Sequence, residues 1–131
     1  MSLQADITIL ASNIWQDADM IFPNIGELPS ITFELKATKT AGYITRRDQV
    51  ITYNLAYCFD IEEYSQIVAH ELAHAIQFRI YPDAKQAHGG EFRYILKQLG
   101  YDTATYHSYS SKKAAKNVTP KNSANLLADM L

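Results

Sequence analysis

One segment decides where the middle of this protein lies. Residues 60–81, DIEEYSQIVAHELAHAIQFRIY, carry apolar side chains (Ile67, Val68, Leu72, Ala75, Ile76, Ile80) nearly all the way round a helical wheel. A helix with no face to give to water must run through the interior with other elements packed around it. Its ends are also legible. Asp60 is a candidate N-cap, Glu63 stands three residues later as in a capping box, and Pro82 ends the run.

The remaining segments are built to surround that helix. Leu3, Ile7, Leu10 and Ile14 recur at spacings of four, three and four, which predicts an N-terminal helix over about residues 3–20 with Trp15 beside the apolar face. Pro23, Gly26 and Pro29 mark a loop. ITFELK (31–36) alternates apolar and polar residues as a strand does. AGYITRRDQVITYN (41–54) holds two β-rich runs around Arg46–Gln49 and predicts a hairpin. Gly89-Gly90 precede a second helix near 91–99, closed by Gly100. The sequence therefore predicts an α+β fold: an N-terminal helix, a small antiparallel sheet or hairpin, the central helix and a following helix. At 131 residues it is one domain. Its body is expected over 1–107, with a polar, basic, weakly ordered tail over 108–131.

Composition excludes several classes. Twelve Lys and Arg against 14 Asp and Glu give a net charge of -2, which argues against a globally basic nucleic-acid binder. The single cysteine, Cys58, can build neither an internal disulfide nor a cysteine zinc ribbon, and reads as a small buried apolar residue. No apolar run reaches the ~20 residues of a membrane helix, and the N-terminus lacks the charged and small-residue features of a signal peptide. The expected location is the cytoplasm.

Inside the central helix lies His70-Glu71-Leu72-Ala73-His74, an H-E-x-x-H motif. Residues i and i+4 differ by about 40° around a helix and ~6 Å along it, so both imidazoles point into one cavity. That spacing lets two nitrogens sit ~2.1 Å from one zinc ion. Glu71 is about 100° round the helix, placed to reach a water on the metal as general base rather than to join the pair as a ligand. A catalytic zinc takes a third protein ligand. His88, followed by Gly89-Gly90, is the favoured candidate, and Glu91 is the other. Burying histidines without a shared purpose would be costly. The expected cofactor is one Zn²⁺ per chain on His70, His74 and His88, with Tyr43, Arg93, Tyr106 and His107 as candidates for a second donor to the developing oxyanion.

HELAHAIQFRIYPDAKQAHGGEF resembles the SprT-like zinc metalloproteases, the family that includes Spartan. His88-Gly89 keeps the first two positions of that family's H-G-x-x-W pattern, and Phe92 stands where Trp is usual. Gly42-Tyr43 through Asn54 is similar to the hairpin that precedes the metal helix in the family. The resemblance spans roughly residues 5–107. It implies a zincin-like minimal metalloprotease that cleaves proteins bound or crosslinked to DNA. Substrate is expected to bind as an extended strand along an exposed edge of the hairpin. Lys112, Lys113, Lys116 and Lys121 are the candidate DNA contacts. Two other readings compete with this one: a zinc-containing binding or assembly module without catalysis, and a metallopeptidase acting on free proteins without DNA.

Overall fold

A computed structural model describes residues 2–36, 40–57 and 60–103. Cys58 and the whole of 104–131, with Tyr106, His107 and the four tail lysines, lie outside the described residues. Among these described residues three α-helices, three short strands and a 3-10 turn follow in the order α1 (Leu3–Ile21), β1 (Ile31–Glu34), β2 (Gly42–Ile44), β3 (Ile51–Asn54), the 3-10 turn (Leu55–Tyr57), α2 (Ile61–Ile80) and α3 (Gly90–Gln98). The architecture is α+β, and the sequence-based element order holds.

The central helix is as deeply set as its composition requires. Residues 67 to 77 of α2 are all buried, and the Asp60–Glu63 capping box forms with both of its hydrogen bonds, Glu63 N–H to Asp60 Oδ1 at 2.8 Å and Asp60 N–H to Glu63 Oε1 at 3.2 Å. Helix α1 packs along one side through Ile7, Ala11, Ile14, Trp15 and Ala18. This face is turned slightly from the expected one. Leu3 and Leu10 are only partly buried, because the alanines at 11 and 18 let the two helices approach and draw that line of the helix inward. Helix α3 closes the other end through Phe92, Ile95 and Leu96, and Gly100 takes the left-handed conformation (φ 85°) that lets the chain turn away after it.

The sheet has the strand order β1-β3-β2. β2 and β3 form the expected antiparallel hairpin, with Gly42 opposite Tyr53, Tyr43 opposite Thr52 and Ile44 opposite Ile51. The turn has no glycine, and Gln49 supplies the positive φ (52°) instead. β1 pairs with β3 in parallel, Ile31 opposite Ile51 through Glu34 opposite Asn54, so the complete sheet is mixed. The Asn54 side chain ties this together. It donates to the carbonyls of Lys36 (2.8 Å) and Thr40 (3.3 Å) and accepts from the N–H groups of Lys36 and Ala56. The sheet is fastened to α2 by Tyr53 Oη donating to the Val68 carbonyl (3.3 Å) and Tyr64 Oη donating to the Asn54 carbonyl (2.7 Å). Among the described residues no helix is long and apolar enough to cross a membrane.

Candidate metal centre

Most of the buried polar residues of α2 fall along one line. His70, His74 and Gln77 recur at helical spacing, Glu71 lies beside them, and all four are 7% exposed or less. Polar groups this deep cost free energy unless something satisfies them. After α2 ends at Ile80, residues 81–89 double back and bring His88 over the same spot.

The three imidazoles meet through the same atom. His70 Nε2 and His74 Nε2 are 3.1 Å apart, and His88 Nε2 stands 3.2 Å from each. Protons cannot satisfy this triangle. Each neutral ring nitrogen is either a donor or an acceptor, so at least one edge must join like with like. A cation at the centre resolves the conflict, because all three lone pairs then point to it. The fit to zinc is close: in a tetrahedral site with Zn–N near ~2.1 Å, the nitrogens stand about 3.4 Å apart. Among the described residues His70, His74 and His88 form a cluster able to hold a metal ion. Glu91, the alternative third ligand, is not part of it.

Phe92 is the platform beneath the cluster. It stacks on His74 (centroids 4.4 Å apart, planes at 28°) and meets His70 and His88 edge-on at 4.8 and 5.0 Å. The aromatic character at this position is thus used directly: the ring fixes the orientation of all three imidazoles at once. Phe78 adds a second stacked ring on His74 at 6.2 Å.

The cluster opens into a groove of about 300 Å³ lined by Gly42, Tyr43, Ile44, His70, Glu71, His74, Phe78, Ala87 and His88. One wall is β2, an edge strand, and the other is α2. Gly42 makes that approach possible. A Cβ there would lie 3.1 Å from Ile67 Cγ2 and 3.2 Å from Tyr53 Cδ1, and within 3.5 Å of Glu71 Cγ. Glu71 is 3% exposed and lines the same groove as the three histidines. Of the candidate oxyanion donors within the described residues, Tyr43 lines the groove and Arg93 is exposed outside it. Sequence reasoning missed the positional roles of Gly42 and Phe78. The small pair Ala41-Gly42 at the head of a strand was the available signal for the first. A broader hollow of about 510 Å³ between the 25–30 loop and the hairpin turn shares no lining residue with the groove.

The SprT-like family model matches residues 12–115. The chain belongs to the SprT-like family. Protein SprT of Pseudomonas putida strain GB-1 is 31% identical over 85 residues, which is 63% of this chain and 51% of that protein. Protein SprT of Pseudomonas entomophila strain L48 is 29% identical over 85 residues with the same coverage. The chain spans about half the length of the curated relatives it matches. No solved structure matches it. Membership in the SprT-like family agrees with a histidine cluster able to hold a metal ion.

Proposed function

We propose that this SprT-like chain is a zinc-dependent endopeptidase with Glu71 as general base, acting on proteins held on DNA. The observation that carries the reading is the Nε2 triangle of His70, His74 and His88 opening into a groove that also holds the buried Glu71 and is walled by an edge strand. His70, His74 and His88 would hold the ion. When bound, zinc supplies a water acidified to near neutrality and polarisation of the scissile carbonyl.

The chain's own residues do the rest. The Glu71 carboxylate takes the proton from the attacking water and hands it to the leaving amine. Tyr43 lines the groove but its Oη donates to Glu34 Oε2 at 3.5 Å, so it would have to turn from that carboxylate to serve the carbonyl oxygen as negative charge develops there. Among the described residues β2 is an edge strand, and its outer side offers main-chain groups to an extended substrate, which gives affinity with little sequence preference. Preference for DNA-held proteins is supported by the family resemblance and by the lysines at 112, 113, 116 and 121, which would neutralise a few phosphates.

The test compares cleavage of one protein substrate free and bound to single-stranded DNA, by the zinc-loaded chain and after chelation. The reading expects cleavage that chelation abolishes and DNA strengthens. Chelation-sensitive cleavage indifferent to DNA removes the DNA part. A zinc-loaded chain that cleaves neither form removes the enzymatic part and leaves a binding module.

A further inference from the structure

A second cavity, about 200 Å³, adjoins the metal groove and shares Phe78 and Ala87 with it. Its other lining residues are Arg46, Gln77, Tyr81, Ala84, Lys85 and Gln86. Two of the lining residues are cations and none is a carboxylate. Arg46 is held in place: its Nη2 donates to the Pro82 carbonyl at 3.0 Å, and the guanidinium lies 5.1 Å over the Phe78 ring. One of its five N–H groups is engaged in that bond, so the planar fork still has donors for an anion. Gln77 Nε2 donates to the Gln86 carbonyl at 3.1 Å and ties the 81–89 segment to α2, while Gln77 Oε1 is buried with no hydrogen-bond partner.

We propose that this cavity is a substrate subsite for an acidic side chain flanking the bond cleaved at the metal groove. The proposal rests on the endopeptidase reading above and adds a substrate class to it. Arg46 and Lys85 would pair with the carboxylate. The cavity's size suits one side chain rather than a run of phosphates. A single carboxylate needs only the two cations that line the cavity, whereas a DNA backbone presents phosphates at a regular spacing that one small cavity does not repeat. The observations therefore favour a peptide occupant over a DNA backbone.

Two measurements test this. In the first, cut sites in a denatured protein mixture are mapped by mass spectrometry for the zinc-loaded chain, for Lys85→Glu and for Arg46→Glu/Lys85→Glu. Asp and Glu should be enriched roughly tenfold at one fixed position from the cut, with the enrichment lost or reversed toward Lys and Arg in the variants. Undiminished cutting with no such enrichment, or with enrichment the variants leave unchanged, overturns the subsite. If the parent chain cuts nothing, the endopeptidase reading is what fails. The second measurement then decides the subsite on its own. Fluorescein-labelled peptides that differ in a single Glu, Gln or Lys are titrated against Glu71→Gln by anisotropy. The Glu peptide should bind roughly tenfold tighter, less so in high salt and not in Lys85→Glu. Equal affinities overturn the proposal. So does an oligonucleotide whose binding requires Arg46 and Lys85 while peptide preference does not. Lys85→Glu, at an exposed side chain, keeps the test valid if the Arg46 variant fails to fold.

Discussion

The two ends of the C-terminal half of α2 are built on opposite terms. At Arg79 a charged group is well supplied with neutral partners: its Nε donates to Gln49 Oε1 at 2.8 Å, its Nη1 to the Ile25 carbonyl at 2.6 Å and to the Glu27 carbonyl, and the guanidinium lies 5.1 Å over the Trp15 ring. Trp15 in turn donates to the Gly26 carbonyl at 3.0 Å. Burial there pushes the Arg79 pKa down, yet its partners hold the group in place. About one and a half to two and a half turns earlier, His74 and His70 face each other and His88 across a triangle that protons cannot satisfy. Polar groups that satisfy one another join α1, the hairpin and α2 into one body. Polar groups in conflict mark the place where something else binds. The same helix does both, and the contrast separates structure from function more clearly than burial does.

The largest expected effect breaks the contrast at its functional end. Glu71→Gln should lower kcat roughly 10³-fold while metal content, measured by atomic absorption, and Tm stay near the parent values. If both activity and metal are lost, Glu71 is structural. Next, chelation or His88→Ala should remove the zinc stabilisation, about 3–4 kcal/mol when the ion is at 100 to 1,000 times its Kd, read as a fall in Tm that added zinc restores only in the parent. Arg79→Ala attacks the other end. It should cost about 2 kcal/mol in denaturant unfolding, because Gln49 and the part-buried Ile25 carbonyl lose their donor and Trp15 loses the guanidinium packed over it, while the folded fraction binds zinc unchanged. Tyr43→Phe sharpens the comparison, with kcat expected to fall roughly tenfold, KM to hold and stability to stay level. The smallest effect is at Tyr101, whose pKa is raised above 10.0 by burial and, second, by the Asp17 carboxylate. The neutral phenol is the form that folding favours. Stability is therefore complete below about pH 10 and declines as pH rises through the folded-state value, a loss that Tyr101→Phe should reduce in alkaline unfolding.

What could be read from the sequence was what local chemistry determines. The Asp60–Glu63 cap, the buried course of α2 and the placement of His70, His74 and His88 all follow from spacing along one helix or from a glycine-flanked loop. The parallel pairing of β1 with β3 was not legible, because nothing within ITFELK says which neighbour it will take. The Arg79 network joins residues 54 positions apart, and an arginine near a helix end reads equally well as a solvated charge. Phe92 was visible as an aromatic in a motif, but its use as one platform for three rings depends on the path of residues 81–89.

That path has a kinetic consequence. Two of the three rings are fixed on consecutive turns of a buried helix, while the third belongs to an exposed residue on a segment between helices. The open side of the triangle is therefore the side of His88, where an ion entering or leaving is expected to pass, and anything seated against Arg46, Lys85 and Gln86 is expected to slow that exchange.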